Sequence, residues 1–266
     1  MAVTSPVTGA QPPVLARREG RVLVLTLNRP DKRNAMNDPT VRELDRHFSA
    51  LESDVAAVII TSEGQHFSAG LDLSELTHRD LPESIMHSRS WHATFEKIQF
   101  GRVPVIAALK GAVIGGGLEL AAACHLRVAE PTAYYALPEG QRGIFVGGGG
   151  SVRLPRLIGV SRMMDMMMTG RTYNAQEGLS LGIAQYLVGE GEGFVKALQL
   201  AEKVSGNAAM TNFALIHALP RIAESDPASG YILESLMASA ASTNPEAQKR
   251  LNDFLQKRAA KILPEG

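Results

Sequence analysis

An α/β core followed by a helical C-terminal block is the fold class that the sequence predicts. Three observations point to it. Residues 55–60 and 103–109 are almost continuous apolar runs, the composition of strands covered on both faces. Each run leads through a glycine-bearing loop into a helical pattern, the order of a β-α-β crossover. After about residue 160 helical periodicity takes over and lasts to Arg258, with Tyr186-Leu187-Val188 as the exception.

In chain order, residues 1–13 are rich in Pro, Thr, Ser and Gly and predict a flexible tail. Residues 21–27 form the first expected strand, ended by Asn28-Arg29-Pro30-Asp31. Asp38-Pro39 then opens a helix, with Asp38 as cap, proline at the first helical position, and Val41, Leu44, Phe48 and Leu51 on its apolar face. Between Gly64 and Leu73 lies a loop at the C-terminal end of a strand, where α/β proteins bind ligands. Residues 74–100 predict a loop and then a helix carrying Trp91, Phe95 and Ile98 at helical spacing. The 103–109 strand runs into the triplet Gly115-Gly116-Gly117 and a helix to about Cys124. Short strands are expected at 126–129 and 133–137, and the glycines at 147–150 open another helix.

The 266 residues carry 27 Lys+Arg and 27 Asp+Glu, a balance that excludes a broadly basic nucleic-acid-binding face. A single cysteine, Cys124, excludes an intrachain disulfide framework and fits a reducing compartment. It sits in an alanine-rich apolar run, as expected of a buried structural thiol. No segment has the apolar length of a membrane span, the N-terminus lacks a signal-peptide core, and Leu263-Pro264-Glu265-Gly266 is not a peroxisomal address. The expectation is a cytoplasmic protein that binds neither membrane nor nucleic acid.

The chemistry concentrates in residues 110–143. Glycines ahead of a helix let backbone N–H groups approach a ligand, and the helix N-terminus favours developing negative charge. One out-of-place carboxylate, Glu119, lies in the apolar helix that follows; a second, Glu139, comes after Pro138 among apolar residues and glycines. Two carboxylates beside such donors point to proton transfer on an activated carbonyl compound.

Five ordered blocks give the chain its resemblance to the crotonase, or enoyl-CoA hydratase/isomerase, superfamily over about residues 14–262. Asn28-Arg29-Pro30 with Asn34-Ala35-Met36 is similar to a first CoA-binding turn, and Phe67-Ser68-Ala69-Gly70-Leu71-Asp72-Leu73 to the F-x-A-G-x-D-L block. Gly115-Gly116-Gly117-Leu118-Glu119 matches G-G-G-x-E, Pro138-Glu139 the P-E block, and Phe254 to Arg258 the C-terminal F-x-x-K-R. The resemblance implies a spiral of β-β-α turns over 14–200 and a helical trimerisation region over 201–266, in a homotrimer or dimer of trimers. It implies an oxyanion hole of the Leu71 and Gly116 N–H groups, and Glu119 and Glu139 as the pair that handles water. It also implies an acyl-CoA thioester substrate with no metal or other cofactor, held by Arg33, Ala35, Ala69, Gly70, Asp72, Leu73, Gly115, Gly147, Phe254 and Lys257.

Retention of both glutamates favours an enoyl-CoA hydratase. A double-bond isomerase working through Glu139, thioester hydrolysis, a hydratase-lyase and non-enzymatic RNA binding are the alternatives. Gln141, Arg142, Phe145 and Val146, where many hydratases are aliphatic and then carry a proline, leave the acyl group open; with Trp91 and Phe95 they are the candidate pocket walls. Asp72 is expected to order its loop, His66 to be exposed, and the methionines at 163–168 to fill a core or interface. His78, His87 and His92 lack metal-ligand spacing. The glycines at 147–150 lack the lysine of a phosphate loop, and Ser68 lacks a nucleophile elbow.

Overall fold

The computed structural model describes residues 11–75 and 79–256. Nine strands are described: β1 (Val14–Glu19), β2 (Val22–Leu27), β3 (Ala57–Ser62), β4 (Val105–Leu109), β5 (Ala112–Ile114), β6 (Leu126–Ala129), β7 (Tyr134–Ala136), β8 (Tyr173–Asn174) and β9 (Tyr186–Leu187). The helices are α1 (Asp38–Ser49), α2 (Leu81–Gln99), α3 (Gly116–Ala123), α4 (Gly150–Ile158), α5 (Val160–Thr169), α6 (Ala175–Leu181), α7 (Gly193–Ser205), α8 (Ala209–Phe213), α9 (Leu219–Glu224), α10 (Pro227–Ser242) and α11 (Pro245–Leu255), with a π-helical turn at Ala214–Ala218 between α8 and α9.

A larger sheet runs β1-β2-β3-β4-β6-β9 and a smaller one β5-β7-β8. In the larger sheet all pairs are parallel except β1 with β2. The chain visits the two layers in turn. β2 leads to Met36 and α1, β3 to the segment around Ser68–Leu71 and α2, β4 to β5 and α3, and β6 to β7. The second-layer members are stitched side by side: Met36 bridges Leu71, Ser68 bridges Val113, and β5 pairs with β7. This is the expected spiral of β-β-α turns.

Burial explains the continuous apolar runs. Val58 and Ile60 of β3, with Val105, Ala107 and Leu109 of β4, face the main core with α1, α2, α3 and α4. The alternate residues Ala57, Ile59, Ile106 and Ala108 pack instead against Ala197, Leu200 and Ala201 of α7. A sheet buried on both faces leaves no position for the polar alternation of a half-exposed strand. Helix α7 thus belongs with the sheet, and its span crosses residue 200.

Several expectations change. Residues 11–13 are tied to the body, since Asn28 N donates to Pro13 O and Asn28 Nδ2 to Pro12 O; residues 1–10 lie outside the described residues. The first strand is β1, a mostly exposed edge strand whose Ala-Arg-Arg-Glu stretch carries little apolar signal. The α1 cap is Asn37, whose side chain accepts from Thr40 N, so Asp38 already lies inside the helix. Residues 110–114 do not run straight into the helix, because β5 intervenes. Among the methionines, Met163 and Met166 are buried while Met164 and Met168 are exposed. Cys124 is buried, and burial pushes its thiol up to about 12.

Candidate active site

Two peptide segments are brought together by the second layer. The bridge to Met36 uses Gly70 O and Asp72 N, so the Leu71 N–H points to the other side. Ser68 pairs with β5 through Ser68 N to Ala112 O and Ile114 N to Ser68 O, at 2.9 and 3.0 Å. That register carries Gly70 and Leu71 past Gly115 and Gly116. The spacing is tight: a Cβ on Gly70 would stand 3.2 Å from Gly116 N, and one on Gly116 3.4 Å from Leu71 N. Gly116 begins α3, where an amide has no partner from the preceding turn. The Leu71 and Gly116 amides therefore sit beside each other at the N-terminus of an apolar helix.

Glu119 lies one turn into that helix, 3% exposed. Its Oε1 accepts from Gly148 N at 2.8 Å and Gly150 N at 2.7 Å. Glycine is required there, because a Cβ on Gly150 would fall 2.8 Å from Glu119 Cγ. Burial raises the Glu119 pKa; the amides of Gly150 and Gly148 and the nearby Arg153 guanidinium pull against that rise. Glu139 arrives from the loop after β7. Burial, with Glu119 as a like charge nearby, pushes it up to about 7. Its Oε2 is buried with no hydrogen-bond partner among the described residues. Gly115, at φ 51°, clears the space for this carboxyl group: a Cβ there would lie 2.6 Å from Glu139 Oε1.

Glu119, Glu139, Leu71, Gly116, Gly147 and Gly148 line one cavity of about 270 Å³. Trp91, Ile144, Phe145 and Val146 supply apolar wall, while Arg79, Ser84, His87 and Ser88 supply polar wall. Of the candidate walls, Phe95 is fully buried behind Gly148, and Gln141 and Arg142 are exposed on a 3₁₀ turn, with Gln141 Nε2 donating to Thr169 O. His87 is considered above only as a metal ligand, and Ser84 and Ser88 are not singled out, although all three continue the Trp91–Phe95–Ile98 face of α2 toward its N-terminus at helical spacing. His87 Nε2 lies 2.7 Å from Asp38 Oδ1.

The remaining described candidates are not among the residues that line this cavity. Asp72 orders its loop as expected: Oδ1 accepts from Ser74 and Oδ2 from Arg29, and these bonds hold its pKa below the ordinary value. Arg33 is exposed in a left-handed turn, and its carbonyl accepts from Ala69 N. Ala35 O accepts from Arg29, and Leu73 is 49% exposed. Phe254 stands exposed on α11, outside the cavity lining; Lys257 and His78 lie outside the described residues. His66 is half-buried rather than exposed, its Nδ1 accepting from Ala112 N. Asn34 was quoted only as part of a motif, yet it is buried at φ 54° and ties Arg29 N, Glu63 O and His66 O together. Among the described residues no group of His, Cys, Asp or Glu could hold a metal ion, and no helix is long and apolar enough to cross a membrane.

A profile of the enoyl-CoA hydratase/isomerase family matches residues 17–262. The chain belongs to this family. It is 32% identical over 248 residues to the short-chain-enoyl-CoA hydratase of Clostridium acetobutylicum, covering 92% of this chain and 95% of the relative. The 2,3-dehydroadipyl-CoA hydratase of Escherichia coli is 32% identical over 247 residues, covering 92% and 96%. A solved Rhodopseudomonas palustris structure, provisionally named an enoyl-CoA hydratase, is 56% identical with a TM-score of 0.91 over 95% of this chain and 98% of that one. Enoyl-CoA hydratase from Bacillus anthracis is 29% identical with a TM-score of 0.86, covering 92% and 97%.

Proposed function

We propose that this family member adds water across the 2,3 double bond of an enoyl-CoA thioester to give a 3-hydroxyacyl-CoA. One observation carries the reading: two buried glutamates share a cavity with two adjacent backbone amides. The thioester oxygen accepts from Leu71 N–H and Gly116 N–H. As water oxygen bonds to C3, the double-bond electrons shift through C2 and C1 onto the thioester oxygen, and the amides stabilise the enolate charge. Losing one such donor costs about 3 kcal/mol in the transition state. Glu119, held by two amides and near Arg153, is the carboxylate that takes the water proton. Glu139, protonated up to about pH 7, delivers its proton to C2. The two glutamates then hold one proton between them as before, exchanged, and solvent restores the starting arrangement.

Gln at either position keeps the shape and removes the proton chemistry. E119Q and E139Q are each expected to lower hydration of a short 2-enoyl-CoA by roughly 10²–10⁴-fold while remaining folded. The readout is loss of the conjugated thioester absorbance; near-normal hydration by E139Q would refute the assignment. A 3-enoyl-CoA supplied to E119Q separates isomerisation, which would persist through Glu139.

Coenzyme A enters as part of the substrate, with no separate cofactor. Its contacts are assigned to Arg33, Ala35, Ala69, Gly70, Asp72, Leu73, Gly115 and Gly147, with Phe254 and Lys257 near the nucleotide end. Support comes from the Arg33–Ala69 hydrogen bond, which sets an exposed cation beside the amide segment. The 201–266 region is assigned to assembly of a homotrimer or dimer of trimers, and the exposed apolar faces of α10 and α11 support this. A lone buried cysteine fits a cytoplasmic setting.

A further inference from the structure

Arg153 occupies the first turn of α4, where the helix dipole disfavours a cation, and it is 7% exposed. Its hydrogen-bond partners among the described residues are neutral: Nη1 donates to Gly148 O at 2.9 Å and Nε to Gln99 Oε1 at 2.6 Å. Gly149 wraps so closely over the guanidinium that a Cβ there would meet Nη1 at 2.3 Å. Gly148 is the junction. Its carbonyl is held by Arg153, and its amide donates to Glu119 Oε1. The anchor continues inward, because Gln99 O pairs with His125 Nε2 at 3.0 Å and His125 Nδ1 accepts from Val105 N of β4. Burial pushes His125 down to about 4, so this anchor adds no second charge.

We propose that Arg153 is a positioning residue for Glu119: it locks the 148–150 loop whose amides hold the carboxylate, and it supplies the buried positive charge that keeps Glu119 ionised. The loop alone cannot do both. Glycines at 147–150 carry no side-chain restraint, and without a cation the buried carboxylate would take up a proton. The proposal rests on the hydratase reading for its kinetic consequence, though its electrostatic part stands on the loop geometry.

The test compares R153M, R153Q and R153K with wild type. R153M and R153Q remove the charge and are expected to lower kcat by about 100-fold through misplacement of Glu119, with a smaller change in KM. The acid limb of kcat/KM should move up by about one pH unit, because the remaining environment favours protonated Glu119. R153K restores the charge without spanning both oxygens, so its limb should stay near the wild-type position while kcat recovers only in part. The second readout needs no turnover: carboxyl carbon shifts of ¹³C-glutamate-labelled protein, with E119Q identifying the signal, should titrate higher in R153M or R153Q. A folded charge-free variant whose limb and Glu119 signal both stay put overturns the proposal, whatever its kcat. Wild type without hydratase activity would overturn the hydratase reading, while the titration would still decide the role of Arg153. Should R153M not fold, R153Q against R153K makes the same comparison.

Discussion

Glu139 combines a catalytic assignment with a thermodynamic cost. Its folded pKa, about 7, lies above the ordinary carboxylate value of 4.5, so between those values the folded state keeps a proton that the unfolded chain releases. Stability from this residue is therefore full below about pH 4.5 and is lost as pH rises through 7, by about 3 kcal/mol at most. E139Q mimics the neutral carboxyl at every pH. Its melting temperature should match wild type at pH 5 and exceed it at pH 8, the reverse of what an ordinary structural carboxylate would show. A uniform offset across that range would mean that Glu139 ionises normally. Activity carries the same sign: as the proposed proton donor, Glu139 should make kcat/KM fall as pH rises through about 7. The sequence exposed Glu119 and Glu139 because an acidic residue in an apolar helix or beside glycines conflicts with its surroundings. It did not expose Arg153 or Asn34, because nothing local distinguishes a buried arginine or asparagine from a surface one. Gly115 was legible as a glycine, but only the fold shows that its missing Cβ makes room for Glu139. Gly115→Ala forces a side chain into φ 51° and against Oε1, so it should lower stability by about 1–3 kcal/mol and kcat with it, read by thermal melting and steady-state rates.

Elements were legible in proportion to their length and uniformity. β3 and β4 announced themselves by unbroken apolar runs, and α2 by Trp91, Phe95 and Ile98, all buried. β5 did not, since three residues between Gly111 and Gly115 carry too little pattern to separate from a loop. Yet β5 is the element on which the site depends, because its pairing with Ser68 sets Leu71 beside Gly116. The 66–72 segment is held from the other side by Asn34, which accepts from Arg29 N at 2.8 Å and donates to His66 O at 2.7 Å. Asn34→Ala leaves those part-buried groups without their partner and puts a Cβ-bearing residue without a side-chain acceptor at φ 54°. It should cost about 1–3 kcal/mol of stability. It should also reduce kcat, because the Leu71 amide loses its support. Chemical denaturation and turnover of the same sample would show both effects; a stability loss with kcat unchanged would mean that β5 alone positions the donor.

At the scale of the molecule, the C-terminal helices present Tyr231, Ile232 and Leu236 on α10, and Leu251, Phe254 and Leu255 on α11, each more than half exposed. Monomeric soluble proteins rarely leave such clustered large apolar side chains in water, so a second chain is the expected cover. Composition announced only a helical block after residue 160, because a helix that packs on another subunit carries the same apolar stripe as one that packs at home. In a closed ring each subunit would contribute one such surface, and a charge placed within it is repeated at every interface. The double variant I232E/L236E should therefore sediment as a monomer, and wild type at the mass of the proposed trimer or dimer of trimers. Burying unpaired carboxylates at an interface is disfavoured, while the same substitutions on a free surface change stability by less than about 0.5 kcal/mol. Sedimentation of wild type as a monomer, or of the variant at the unaltered mass, would remove α10 from the interface. If Phe254 or Lys257 reaches CoA only across that interface, the monomeric variant should also show a raised KM for the CoA thioester.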